Sequence, residues 1–283
     1  MGQGAGGADL YDPAFEKDSC GFGLIAQLDD RPSRAIVDAA LDALRRMTHR
    51  GAVAADGKSG DGCGLLLRRP EAFLRVLARE AGIALPESFA SGIVFLPHDE
   101  ADAMRARVTL EAELVAAGLL LAGWREVPVD VEVCGAEARR TMPAVAQVYV
   151  GVREDLDLSA LERLLFQARR RAEIALSDLA DFYVVSLSAH VFAYKGMVMP
   201  GDLPAFFKDL ARPELATSAV TFHQRFSTNT MPRWPLAQPF RFLAHNGEIN
   251  SIQGNRNWMR ARGPRFRSPL VDFRELQPAL FFL

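Results

Sequence analysis

Apolar residues along this chain fall into short runs of strand type and longer stretches at helical spacing, separated by clusters of Gly, Pro and Asp. Residues 1–19 are small, polar and acidic without periodicity, which predicts a flexible leader. The first apolar run predicts a strand from Cys20 to Leu28, where Gly21 and Gly23 admit another group close to the backbone. Asp29 to Pro32 turns the chain. Ser33 then reads as a helix N-cap before Ile36, Val37, Ala40, Leu41, Leu44 and Met47 at helical spacing. Further helices are expected over 70–81, 100–117, 158–179, 204–210 and 251–262. Further strands are expected over 65–67, 91–95, 119–128, 145–152, 218–225 and 241–245. Two runs, 182–188 and 191–194, read as a pair of neighbouring strands. The strands are interleaved with helices and hairpin connections recur, so the expected class is α+β in one domain, not a parallel doubly wound sheet.

Between the first helix and the second strand lies Ala55-Asp56-Gly57-Lys58-Ser59-Gly60-Asp61-Gly62-Cys63-Gly64. Glycine and aspartate at this density describe a loop with positive φ angles or close packing against a neighbour. It lacks the spacing and ending of a phosphate-binding P-loop. It therefore either packs beside the Cys20 strand and shapes a pocket, or is a surface turn. The run Arg169, Arg170, Arg171 and Glu173 reads as a solvated helix face.

Composition narrows the function classes. A chain of 283 residues with 49% hydrophobic and 24% charged residues has the balance of a soluble globular protein. A net charge of −2 gives no electrostatic reason to expect nucleic acid or a membrane surface as partner. The apolar run Leu114 to Trp124 is too short to span a bilayer, and the N-terminus has no secretory pattern, so a cytoplasmic location is expected. Cys20, Cys63 and Cys134 are too few and scattered for a disulfide framework. No pair of cysteines or histidines has metal-ligand spacing, so no metal is expected in this chain.

Candidate chemistry gathers at three places. Cys20 opens a strand, and a cut before it would make its own α-amine, with a pKa of about 7.7–8.0, the base for a thiol near 8.5. Asn246-Gly247 offers a side-chain amide beside a glycine N–H for a developing oxyanion, with each such donor worth about 2.7–4 kcal/mol. Arg225, at a strand end, could hold a substrate carboxylate. Each has a plainer reading: a buried thiol, a hairpin turn and a surface ion pair.

The blocks Tyr11-Asp12-Pro13 through Asp18-Ser19-Cys20-Gly21-Phe22-Gly23, Thr48-His49-Arg50-Gly51-Ala52, the Ala55–Gly64 loop, Tyr194-Lys195-Gly196-Met197 and His223 to Thr230 follow in order. Leu243 to Asn250 and Gly254 to Met259 complete the series. Together they resemble the N-terminal class II glutamine amidotransferase domain of the glutamate synthase large-subunit family. The resemblance implies an N-terminal nucleophile hydrolase fold, a four-layer αββα sandwich with antiparallel sheets. It implies residues 1–19 as a removed leader and 20–283 as the amidotransferase domain. Cys20 would then be the nucleophile, Arg225 the binder of the glutamine α-carboxylate, and Asn246 with Gly247 the oxyanion pair. The implied reaction converts glutamine and water to glutamate and ammonia. In the full family protein the ammonia passes to 2-oxoglutarate at an FMN site beside an iron–sulfur cluster, and a small electron-transfer subunit is an expected partner. Neither cofactor is expected in this chain. A Ser-Asp-Ser segment, whose aspartate would bind the α-amino group, does not occur before Leu283, so the domain is expected to be incomplete at its C-terminal side. Another N-terminal-cysteine amidotransferase or hydrolase, a papain-like thiol enzyme, and an inactive binding or assembly module remain as alternatives.

Overall fold

The computed structural model describes residues 21–152, 156–224, 231–241, 252–265 and 267–270. Among the described residues, eight strands form two four-stranded sheets. We number them β1 Phe22–Ala26, β2 Cys63–Arg68, β3 Phe89–Leu96, β4 Leu120–Glu126, β5 Ala144–Gly151, β6 Tyr183–Val184, β7 Val191–Gly196 and β8 Ala219–Gln224. The first sheet has the order β1-β8-β2-β7 and the second β4-β5-β3-β6, and every neighbouring pair is antiparallel. The expected α+β class follows from this pairing.

The principal helices are α1 Arg34–Arg46, α2 Glu71–Glu80, α3 Glu100–Ala116 and α5 Leu158–Ala175. The short helices are α4 Ala136–Arg140 and α6 Leu203–Phe206, and α7 runs Ile252–Arg262. Helix starts are set by side chains that take up otherwise unpaired amides. Ser33 Oγ accepts from Ala35 N at 3.2 Å, Asp99 Oδ1 from Asp102 N at 2.9 Å and Asp157 Oδ1 from Ala160 N at 2.9 Å.

Alternation decides which faces are covered. In β3 and β5, Ala90, Val94, Ala146, Val148 and Val150 pack with Leu110 and Leu114 of α3 and Leu161 and Leu165 of α5. The opposite face, with Phe89, Ile93, Phe95, Val145 and Tyr149, joins a core shared with the first sheet and with α1 and α2. Helix α1 lies on β8 and β1, and β7 runs against β3. Helices thus flank two antiparallel sheets. A buried ion pair ties the second sheet to the turn at 208–211. Arg125 of β4 grips Asp209 through two bonds of 2.7 and 2.8 Å, and the Tyr194 hydroxyl adds a third at 3.1 Å.

Two expectations are corrected. The runs 182–188 and 191–194 are not a strand pair: β6 joins β3 in the second sheet, whereas β7 joins β2 in the first. The chain between them crosses from sheet to sheet, held by a bridge between Ser91 and Ser188 and by Ser186 Oγ accepting from Ala193 N at 3.2 Å. The charged run on α5 is not a solvated face. Arg169 and Arg170 both bond Glu173, at 2.7 and 2.6 Å, with all three side chains only 13% exposed. Sharing the Glu173 carboxylate at helical spacing offsets part of the cost of taking the two guanidiniums out of water. The expected strand at 241–245 lies outside the described residues beyond Arg241.

Candidate active site

The site is built where β1 begins and β8 ends. Gln224 N donates to Gly21 O at 2.6 Å, and the register continues with Phe22 opposite His223. The central strand β2 pairs on the other side of β8, setting Cys63 opposite Gln224 and Gly64 opposite His223. The start of one strand and the end of another are thereby fixed side by side, behind residues that are fully buried. Cys20, Arg225, Asn246 and Gly247 lie outside the described residues. In sequence, Cys20 precedes Gly21 and Arg225 follows Gln224.

The glycine-rich loop divides into an exposed half and a buried half. Residues 55–58 are exposed and form a surface turn, whereas Ser59 to Gly64 are buried. A bridge between Val53 and Gly60 closes the loop, with Asp61 N donating to Ala52 O at 3.2 Å. Asp56 accepts from Lys58 N, Ser59 N, Ser59 Oγ and Glu137 N at 2.6–3.0 Å. The bonds from Ser59, then those from Glu137 and Lys58, hold its carboxyl far below the ordinary value. This fastening draws the loop onto the start of α4, where Ser59 Oγ also accepts from Ala138 N at 2.9 Å. Gly62 has φ +120°, a conformation in which a side chain is strained, and its backbone lies against Ala237.

The inner half of the loop reaches the strand ends. A Cβ on Gly51 would overlap Gln224 Nε2 and would stand 2.9 Å from Asp61 Oδ1. The absent side chain of Gly51 is therefore the space that the Gln224 carboxamide fills. Gln224 is fully buried, and neither its Nε2 nor its Oε1 has a hydrogen-bond partner among the described residues. Asp61, 3% exposed, completes a polar cluster directly behind the Gly21–Gln224 pair. Sequence reading passed over Gln224 and Lys195. Each sits within a block quoted for the resemblance, and a polar residue inside an apolar strand run was the signal available for both.

The two described cysteines cannot supply a reactive thiol. Cys63 is fully buried on β2 and its Sγ donates to Val198 O at 3.3 Å. Burial first, then the charges of Asp61 and Asp202, push its thiol well above the ordinary value. Cys134 is 1% exposed and burial pushes its thiol up to about 11. The thiolate is the nucleophilic form, so both are inert near neutral pH. That leaves Cys20.

Comparison with known sequences bears on the same residues. The family model for class-II glutamine amidotransferases matches residues 20–281, a span that opens at Cys20. The chain belongs to that family. An α+β fold with antiparallel sheets between helices is what membership requires, and the described strands form it. The glutamate synthase [NADPH] large chain of Azospirillum brasilense is 42% identical over 279 residues, which cover 96% of this chain and 18% of that protein. The corresponding large chain of Bacillus subtilis is 40% identical over 275 residues, 96% of this chain and 18% of that protein. Ferredoxin-dependent glutamate synthase 1 of Arabidopsis thaliana is 41% identical over 273 residues, 95% and 17% respectively. The chain thus spans less than a fifth of the length of these relatives. Among the described residues, no helix is long and apolar enough to cross a membrane.

Proposed function

We propose that this chain is the glutamine-hydrolysing part of a glutamate synthase. Cys20 is the nucleophile, exposed as the N-terminus when residues 1–19 are cut away. Its α-amine takes the thiol proton, and the thiolate attacks the side-chain carboxamide carbon of glutamine. The oxyanion of the tetrahedral intermediate is received by the Asn246 side-chain amide and the Gly247 N–H. Collapse breaks the C–N bond and releases ammonia, with the amine returning the proton to the leaving nitrogen. Water then attacks the thioester and frees glutamate. Arg225 pairs with the substrate α-carboxylate and fixes the scissile amide at the thiol.

The observation that carries this reading is the family match beginning at Cys20, on the residue that precedes the buried Gly21–Gln224 pair. The inert state of Cys63 and Cys134 supports it by elimination. The unpaired thiols support a reducing cytoplasm as the compartment. Ammonia would pass to 2-oxoglutarate elsewhere in the longer protein, with an electron-transfer subunit as partner. FMN and an iron–sulfur cluster would belong to that longer protein. Neither is assigned to this chain. Ammonia release from glutamine by the wild type and by Cys20→Ala tests the proposal. Activity that survives in Cys20→Ala overturns it.

A further inference from the structure

The two faces of the first sheet are covered unequally. Cross-strand partners project to the same side, so the register sets Lys195, Gly64, His223 and Phe22 in one row across β7, β2, β8 and β1. Ala193, Leu66, Thr221 and Leu24 form the next row on that side. In the first row Lys195, Gly64 and His223 are buried, but Phe22 is 40% exposed. In the second, Ala193 is buried, Leu66 and Thr221 are half-buried, and Leu24 is 63% exposed. Burial thus fails toward the β1 edge. On the opposite side Tyr194, Leu65 and Phe222 are all buried, in the core shared with α1 and α2.

The cover on the β7 side comes from the segment 231–241. Pro235 O accepts from the Lys195 amine at 2.8 Å, and the Phe240 ring centroid lies 4.8 Å from that amine. A Cβ on Gly64 would come within 2.9 Å of Gln238 O. These contacts rest on β7 and β2. Beyond them an apolar strip runs along β1 from Phe22 through Leu24 to Leu28, which is fully exposed in the turn that follows, where Asp30 N donates to Gln27 O at 3.2 Å. Arg68, two residues past Leu66 on β2, pairs with Asp30 at 2.7 Å, so the charges beside the strip are answered within the chain. A row of large apolar side chains in water, rimmed by paired charges, marks a surface that another surface covers.

Two observations identify the occupant. The strip carries no charge, so what lies on it is apolar, and it adjoins the 231–241 segment, whose cover over the same sheet face it continues. The matched relatives are far longer: this chain covers only 17–18% of each. A segment tethered in the same polypeptide meets the strip at a much higher effective concentration than a second copy does. We propose that the strip Phe22–Leu24–Leu28 is an internal docking surface, covered by an apolar segment of the same polypeptide from outside residues 1–283. The inference rests on the proposed place of this chain in a longer protein, and not on the chemistry at Cys20.

The test uses the protein as its full reading frame encodes it. Hydroxyl-radical oxidation of Phe22, Leu24 and Leu28 in the wild type is expected to run about tenfold slower than in the same protein unfolded, because the core of a packed interface excludes water. Leu24→benzoylphenylalanine, a photo-crosslinking replacement, then identifies the occupant by peptide mapping. The expected adduct lies within one polypeptide, on a peptide from outside residues 1–283, with a yield unchanged by dilution. Oxidation as fast as in the unfolded protein, no adduct, an adduct confined to residues 1–283, or one that joins two polypeptides would each overturn the docking. Intact mass and a glutaminase assay of Cys20→Ala separate this inference from the functional reading. A bare strip on a long polypeptide whose Cys20→Ala variant is inactive overturns the docking alone, whereas a wild-type polypeptide of 283 residues or fewer overturns the longer-protein reading and the docking with it.

Discussion

The carboxamide of Gln224 occupies the place where a side chain on Gly51 would begin. This contact joins the glycine-rich loop to the paired ends of β1 and β8. It explains a glycine that no turn geometry demands, since Gly51 has φ −93°. Gly51→Ala is expected to force Gln224 and Asp61 apart and destabilise the fold by about 1–3 kcal/mol, as overpacking does. In a Gln224→Ala background the same change should cost much less. Denaturant unfolding of the two single variants and the double variant measures the coupling, and strict additivity would contradict the contact.

Replacing Gln224 with methionine should act in the opposite sense. Both polar atoms of the carboxamide are buried without hydrogen-bond partners among the described residues, and such groups cost about 1–3 kcal/mol. Gln224→Met keeps the volume and removes that cost, so a higher melting temperature is expected. A clear loss of stability would show that the amide is satisfied within the fold.

Lys195 imposes a pH dependence of definite sign. Its folded value lies well below the 10.5 of an ordinary lysine. Above the folded value and below 10.5, the unfolded chain binds more protons, so this group makes stability rise with pH. Below the folded value the full penalty is present, and above 10.5 it vanishes. Unfolding free energies at neutral pH and at pH 9–10 should therefore differ less in Lys195→Met than in wild type. Parallel pH profiles for the two proteins would contradict the burial argument.

The Arg125–Asp209 pair is expected to be costly to break from one side. Asp209 is 1% exposed and holds both arginine bonds and the Tyr194 hydroxyl. Arg125→Met leaves a buried carboxylate without its cation, which should cost about 3–5 kcal/mol, whereas Arg125→Met with Asp209→Leu should recover much of the loss. Chemical denaturation of the three proteins checks this, and a double variant no better than the single would contradict it.

The fold was legible where periodicity and capping act locally. Ser33 marked the start of α1, and β3, β5 and β8 were marked as strands by short, mostly apolar runs rich in β-branched and aromatic residues. Sheet membership was not legible, because local pattern cannot say that β6 and β7 part company after only a few residues. Nor could it show that Arg169 and Arg170 share the Glu173 carboxylate in a largely buried cluster. The site divides in the same way. Cys20, Arg225, Asn246 and Gly247 were singled out in order along the chain, and all four lie outside the described residues. Gln224 and Lys195 gain their meaning from register, opposite Cys63 and Gly64, and from a neighbour's missing side chain, which no spacing reveals.

The central claim, that Cys20 becomes an N-terminal nucleophile for glutamine, is tested most directly by one labelling experiment. The protein is treated with a glutamine analogue bearing an electrophile at the side-chain carbonyl position, then examined by intact mass and peptide mapping. The expected result is a single adduct on a chain that begins at Cys20, with Cys63 and Cys134 unmodified. An adduct on Cys63, or a modified chain that still carries Ser19, would contradict it.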